Sequence, residues 1–566
     1  MGTGQTMQFS ATGDPMGVTW SLSGFTDAAP SIAAPAGTID GSGNYTALAG
    51  SPSMIVMVMA TSKSDPTKST FALVNVVAPG QFTSTNNVQV AQYTVAPATS
   101  ANVSVQFGLD TNYGLTTWTQ PNGQFGGPVS LYVAGMKQST PYHMRGVIQF
   151  ADGTQFLDAD QTFTTGAIPA GMLPAITATT TAGMTPQGGI ELLDLLQVGA
   201  NTPRLYMVAT DLAGNVIWSY NPGVFPTVVN PIKLLPNGHF LVNFTATPAL
   251  LDGKNSVTQE VDLAGNLIWQ LTAAQLNTAL AAATCAGCNI TVVGIHHDIA
   301  ILPNGHLVVI ASTQQVVSGV TVTGDVLIDL DQNRNPVWLW NEFDHMDVTR
   351  QPYSFPDWTH TNAIIYSPAD GNLIISIRNQ NWVLKIDYNN GTGAGDILWH
   401  LGYQGDFTLL NADGTPDTNA TDWFFAQHAP SFVGTNTAGK FSLTLFDDGD
   451  DRGVTVVAGG SCGVAGQPAC YSTVPIFNLD ETAKTATLVF HATAPNYVFF
   501  GGNAEVLQNG NVEYDECAAT PLPANNAAAF EITQTSPPQT VWQINIAGQY
   551  AYRVFRMPSL YPGVQW

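Results

Sequence analysis

A turn of the form Leu-Pro-Asn-Gly recurs through the C-terminal two-thirds of this chain. Each copy is followed by an apolar strand and then a segment running from Asp to Trp. The turns lie at 235–238, 302–305, 367–371 (lengthened to Ser-Pro-Ala-Asp-Gly) and 507–510 (Leu-Gln-Asn-Gly). The Asp-to-Trp segments lie at 211–218, 262–269, 329–338 and 387–399, with a degenerate copy at 480–490 and another ending at Trp542. Asn-Gly supplies the positive φ angles of a tight hairpin. Six units of strand and turn within 175–566 predict a six-bladed β-propeller, each blade a four-stranded sheet that buries its faces against its neighbours. The aromatic ending each segment is expected to pack between blades. The first unit is incomplete and the chain ends on Tyr-Arg-Val-Phe-Arg-Met at 552–557, so one blade is expected to be shared between both ends, closing the ring. Helix is scarce, and 272–283, rich in Ala and Leu, is the one convincing candidate.

Two further β domains precede the repeats. Residues 1–79 alternate short strands with Gly-centred turns, and Trp20-Ser followed by Gly37-Thr-Ile-Asp40 and Tyr45-Thr-Ala resembles bacterial immunoglobulin-like domains. Residues 80–170 resemble a fibronectin type III sandwich, with Tyr142 where such domains keep a buried tyrosine. The expected class is therefore all-β: two β-sandwich domains, then the propeller over 175–566.

A net charge of −24 with only 16 Lys and Arg excludes a nucleic-acid or anionic-membrane partner. No apolar run is long enough for a membrane-spanning helix, so no membrane insertion is expected. The start Met-Gly-Thr-Gly-Gln shows no basic and apolar leader, yet the Lys-poor, Thr/Asn/Gly-rich composition is that of an exported, periplasmic or secreted, protein. Cys285-Ala-Gly-Cys288 has no partner pair at zinc spacing and no βαβ context for a redox motif. Two short-range disulfides, Cys285–Cys288 and Cys462–Cys470, with Cys517 free, is the plain reading.

In so acidic a chain, convergent histidines stand out. His296 and His297 precede one repeat turn, His360 (Trp-Thr-His-Thr-Asn362) precedes the next, and His428 (Gln-His) opens the third. His296 lies nine residues before Gly305, and His360 eleven before Gly371 of the lengthened turn. Matching places in a radial fold face one centre, so imidazoles from three successive units, with Arg378, are predicted to converge there. Strand alternation puts His296 and His297 on opposite faces, with His296 inward and His297 held against Asp298. His239 and His306 read as hairpin residues, and His143, His345, His400 and His491 as structural. The residues 447–451 (Asp-Asp-Gly-Asp-Asp) read as a solvated acidic loop beside the site, although such carboxylate density suits calcium.

A His₃ set suits zinc, but an adjacent arginine opposes a divalent cation. The only carboxylates in view to support three imidazoles are Asp298 and Asp447. The metal-free reading has Arg378 and charged histidines bind the oxygens of a tetrahedral anion while a neutral histidine attacks it. No metal and no cofactor are expected.

These residues resemble the bacterial aryl-sulfate sulfotransferases. The carrying motifs are His-His-Asp-x-x-x-Leu-Pro-Asn-Gly at 296–305, Trp-x-His-x-Asn at 358–362 and Ile-x-Ile-Arg-Asn-Gln-Asn-Trp at 375–382. Gln-His at 427–428, Phe-Asp-Asp-Gly-Asp-Asp-Arg-Gly at 446–453 and Tyr-Arg-x-x-Arg-x-Pro-Ser-Leu-Tyr at 552–561 complete the set. The resemblance implies a six-bladed propeller that moves a sulfuryl group from an aryl sulfate to a phenol through a sulfated histidine, without a nucleotide donor. It implies His428 as nucleophile, His360 as acid/base, and Arg378, Asn362, His296 and His297 as sulfuryl-oxygen ligands. Cys462–Cys470 then matches the family's short disulfide, and Gly501-Gly502-Asn503 leaves room for an aromatic ring. Two domains stand before the propeller where characterised members have one, which leaves the contacts of a homodimer open. The competing readings are a non-catalytic exported propeller binding a polyanion or glycan, and a metal-dependent hydrolase.

Overall fold

A computed structural model describes the chain except residues 26–35, 197–203, 224–227, 246–253, 354–355, 451, 453–469 and 521–525. The described residues form two compact units, 1–168 with 558–566, and 169–557. Both are built almost wholly of strands, so the chain is all-β.

The first unit holds two pairs of small sheets. One pair is Thr6–Gln8, Asn44–Ala47 and Gly37–Ile39 with Val18–Phe25, Met54–Ser62 and Ser69–Val76. The alternation of Met54–Ser62 places Met54, Val56 and Val58 inward beside Tyr45. The other pair packs Val129–Val133 and Ala91–Val95 over Ala101–Gly108 and Pro141–Phe150. Tyr142 is buried there, its hydroxyl accepting the Lys137 N–H at 3.0 Å. The last nine residues belong to this unit and not to the repeats. The Tyr561 hydroxyl accepts the Ala134 N–H at 2.7 Å and donates to the Tyr132 carbonyl at 3.0 Å. The Trp566 indole N–H donates to the Thr116 carbonyl at 2.9 Å.

The second unit contains six sheets of four or five strands among its described residues. Four are consecutive in sequence, opening on Val228–Leu234, Gly294–Ile301, Thr361–Ser367 and His428–Thr437. The remaining two join the ends of the unit. Tyr550–Met557 pairs with Ile190–Leu196 to head one sheet, and Ala175–Thr180 adds to the edge of the sheet that Ala504–Val506 heads. Two sheets thus share both ends, where the sequence suggested one. The leading strands of successive sheets lie side by side: Gly294–Ile301 on Thr361–Ser367, that on His428–Thr437, and that on Ala504–Val506. The seven residues of Ile190–Leu196 are all buried, as befits a strand covered on both faces.

The repeated motif explains this assembly. Gly238, Gly305, Gly371 and Gly510 of the turns have φ between +72 and +85°, a conformation that only glycine adopts without strain. The tryptophans tie one sheet to the next by their indole N–H groups: Trp218 to the Leu263 carbonyl at 2.9 Å, Trp340 to Gly395 at 2.8 Å and Trp542 to Leu212 at 2.8 Å. In the sheet headed by Gly294–Ile301, Trp340 makes this tie, not Trp338. The expected helix is Ala273–Ala282, capped by Thr272 and Gln275 in a reciprocal box. Among the described residues no helix is long and apolar enough to cross a membrane. Cys285 and Cys288 are bonded, Cys470 is disulfide-bonded and Cys517 is a buried free thiol, while Cys462 lies outside the described residues.

Candidate active site

The starts of the leading strands bring His296, His297, His360, His428 and Tyr552 together. The His297 ring meets those of His360 at 4.7 Å and Tyr552 at 5.7 Å between centroids, and Tyr552 meets His428 at 6.1 Å. The Tyr552 hydroxyl is buried without a hydrogen-bond partner.

Alternation fails at the histidine pair. The ladder of Gly294–Ile301 with its neighbour breaks between Ile295 and Ile299, and His297 adopts a left-handed φ of +58°. Both rings are consequently buried side by side, with their Nδ1 atoms 2.6 Å apart. His297, not His296, reaches His360. His296 turns its Nε2 to Asp325 at 2.9 Å. Asp298 does not hold His297, because it pairs with Lys233 at 2.5 Å and Arg553 at 3.1 Å. Burial, followed by the charges of His360, His296, His428 and Arg553, lowers the His297 pKa well below the ordinary value, so this ring is neutral.

His360 also has a left-handed backbone, φ +54°, and its Nδ1 lies 2.5 Å from Asp357. Burial pushes the Asp357 carboxyl up, but His360 and the hydrogen bond to it hold it below the ordinary value. Two non-glycine left-handed residues at one site mark backbone strain of about 1–3 kcal/mol each, of the kind that concentrates where function demands a geometry. Asp325 braces both loops, since its second oxygen accepts the Thr361 N–H at 2.6 Å and the Thr359 hydroxyl at 3.2 Å.

His428 opens its strand just after the left-handed Ala426. Its Nε2 accepts the Gly501 N–H at 3.3 Å, which requires a lone pair there and assigns the ring proton to Nδ1. Nδ1 stands 3.1 Å from Asp448 Oδ2, off the line of a formed hydrogen bond. Burial, then Arg378, His360 and Arg553, depresses the His428 pKa well below the ordinary range, leaving a neutral imidazole whose Nε2 lone pair is met by the Gly501 N–H. Burial, then Asp450 with Asp447 and Asp515, pushes Asp448 up against the pull of Arg378.

Arg378 begins the turn Arg378–Gln380 after the strand Asn372–Ile377. Its guanidinium donates to Asp450 at 2.5 Å, to the Phe499 carbonyl at 3.0 Å and to Asn379 Oδ1 at 2.9 Å. Its Nε lies 3.9 Å from the same Asp448 oxygen that faces His428. The side chain keeps 16% exposure, enough to meet a ligand. Asn362 is fully buried, donates its amide to the Gln427 carbonyl at 2.7 Å, and gives its backbone oxygen to Arg553 at 2.6 Å. It joins the sheet headed by Thr361–Ser367 to that headed by His428–Thr437, and its Oδ1 has no partner among the described residues.

Three expectations change. Each of His296, His360 and His428 has a facing carboxylate, Asp325, Asp357 and Asp448, none of them foreseen. The described part of the acidic loop, 447–450, is not solvated: Asp447 pairs with Arg452 and accepts the Thr473 hydroxyl at 2.6 Å, and Asp448 is fully buried, while Asp451 lies outside the described residues. The glycines before Ala504–Val506 are held by close packing. A Cβ on Gly501 would meet Cys517 at 2.7 Å, and one on Gly502 would meet the Phe446 ring at 2.7 Å.

A family model described as Arylsulfotransferase (ASST) matches residues 186–553, well over half the chain. No curated protein matches the chain. Among solved structures, a purple acid phosphatase from yellow lupin is 11% identical at a TM-score of 0.16, covering 25% of this chain, which spans 29% of its length. A candidate 6-phosphogluconolactonase from Bacteroides uniformis is 11% identical at 0.33, covering 66% of this chain and 100% of its own. A candidate phosphatase from Bacteroides thetaiotaomicron is 10% identical at 0.25, covering 75% and 98%. Likenesses this slight bear on neither fold nor function.

Proposed function

Because this chain belongs to the arylsulfotransferase family, we propose that it moves a sulfuryl group from an aryl sulfate to a phenol in two steps through a sulfated His428, with no metal and no nucleotide. The observation that carries this reading is the His428 imidazole: buried, neutral, proton toward Asp448, lone pair on Nε2. In the first step Nε2 bonds to sulfur as the bond from sulfur to the aryl oxygen breaks, and His360 protonates the departing phenolate. In the second, His360 takes the acceptor's proton, the phenol oxygen attacks sulfur, and the nitrogen–sulfur bond breaks. Arg378 neutralises the sulfuryl oxygens in both steps. Asp448 steadies the cationic ring that exists while Nε2 carries the sulfuryl group, and Asp357 does the same for protonated His360.

The six sheets are read as blades of a propeller, the paired sheets of residues 1–168 as two β-sandwich domains, and the protein as exported. Mixing enzyme with excess 4-nitrophenyl sulfate and no acceptor tests the reaction. A burst of one nitrophenol per site is expected, unchanged by EDTA. A protein that merely binds polyanions releases none, and a metal-dependent hydrolase loses release with EDTA.

A further inference from the structure

One carboxylate holds both of the strained histidines. Asp325 is 2% exposed and lies on Val320–Leu330, two strands along from Gly294–Ile301 in the same sheet. Its Oδ2 accepts the Thr361 N–H at 2.6 Å and the Thr359 hydroxyl at 3.2 Å, from the residues on either side of His360. Its Oδ1 faces His296 Nε2 at 2.9 Å. Beside it, burial and then Asp325 itself push Glu342 well above the ordinary carboxyl range, so the negative charge of the two rests on Asp325. An ionised carboxylate offers only acceptors, so His296 Nε2 carries a hydrogen.

That hydrogen fixes the next ones. His296 Nδ1 lies 2.6 Å from His297 Nδ1, a separation that requires one hydrogen between the two nitrogens. With one hydrogen per ring, His296 has spent its own on Asp325. His297 Nδ1 is therefore the donor, and His297 Nε2 is bare. This Nε2 has no protein partner among the described residues and, unlike the Tyr552 hydroxyl, is not sealed by the surrounding protein.

We infer that Asp325 is a positioning residue which, acting through His296, makes His297 present a bare nitrogen to the ligand. Such a nitrogen takes the hydrogen of a phenol hydroxyl and repels sulfuryl oxygens. His297 is thus a rest for the neutral phenol and not an oxyanion ligand, while proton transfer stays with His360, whose ring lies 4.7 Å away between centroids. The role of His297 rests on phenols being ligands of this site, as proposed above. The hydrogen positions set by Asp325 do not.

Asp325→Asn keeps the shape and inverts the pattern. The Thr361 N–H still needs an acceptor and holds the amide oxygen, which leaves the amide NH₂ facing His296 Nε2. Two donors cannot face each other, so the hydrogen of His296 moves to Nδ1 and that of His297 to Nε2. Nitrogen-15 NMR of the resting enzyme, labelled at histidine, reads these positions, and coupling across the shared hydrogen identifies the pair. Wild type is expected to show a protonated Nδ1 and a bare Nε2 at His297, and Asp325→Asn the reverse. Calorimetry with phenol and with anisole, which has no hydroxyl hydrogen, reads the consequence. Wild type should prefer phenol by about tenfold, and Asp325→Asn should lose that preference. A hydrogen on His297 Nε2 in wild type, unchanged positions in a folded Asp325→Asn, or no preference for phenol in wild type would each overturn the inference. The wild-type spectrum decides the hydrogen positions even if Asp325→Asn does not fold. With no sulfuryl donor present, these outcomes are separate from failure of the transfer reaction.

Discussion

His428 Nδ1 stands 3.1 Å from Asp448 Oδ2, and both side chains are withdrawn from solvent. The Gly501 N–H on Nε2 leaves the ring proton to Nδ1, on the side of Asp448, and in the proposed scheme this carboxyl faces the positive charge that develops on the ring. Asp448→Asn keeps the shape but removes the group that can take on negative charge as the ring becomes cationic. It should lower kcat on the order of 10²-fold or more with little change in KM, as loss of an orienting aspartate does elsewhere. Steady-state kinetics check this, and an unchanged kcat would make Asp448 structural only.

His360 Nδ1 lies 2.5 Å from Asp357, and the proposed scheme makes this ring the acid. His360→Ala should therefore be most impaired with poor leaving groups, and its defect should shrink as the phenol becomes more acidic. Measured across aryl sulfates, equal impairment for nitrophenyl and phenyl sulfate would rule out the acid role.

Arg378→Lys keeps the charge but cannot serve Asp450, Asn379 and the Phe499 carbonyl while meeting a sulfuryl group. Turnover should fall roughly 10²–10³-fold in a protein whose melting temperature is close to wild type. Near-normal turnover would assign Arg378 to the scaffold.

The Arg556 guanidinium pairs with Glu191, Glu513 and Glu531, and its backbone N–H donates to Glu505, where Ile190–Leu196 and Tyr550–Met557 pair. Burial pushes Glu191 from 4.5 up to about 7 against the pull of Arg556, and Glu505 and Glu513 are also raised by burial. A carboxyl raised on folding contributes stability that is full below its unfolded value and lost as pH rises through the folded one. The melting temperature should therefore fall as pH rises from about 4.5 through about 7, and Glu191→Gln should flatten that decline. Equal slopes for the two proteins would contradict it.

What the sequence revealed was local. The glycine turns and the helix at 273–282 depend on neighbours a few residues away, the tryptophans are marked by the repeat although their partners lie in the next sheet, and the repeat spacing aligned His296 with His360. What it missed was made across strands. Asp325 lies 29 residues from His296 and meets it only because their strands belong to one sheet. The choice between His296 and His297 failed because the period-two rule does not survive a left-handed residue inside a broken ladder. The acidic run at 447–450 reads as solvated until Arg452 and Arg378, brought in by the fold, pair with Asp447 and Asp450.

The central claim is that His428 carries the sulfuryl group. Intact mass after brief mixing with an aryl sulfate, without acceptor, tests it most directly. The account predicts a gain of one sulfuryl group, mapped by peptide fragmentation to His428, lost on adding a phenol and absent in His428→Ala. A wild-type protein that releases phenol with no mass gain, or a His428→Ala variant that still becomes sulfated, would contradict it.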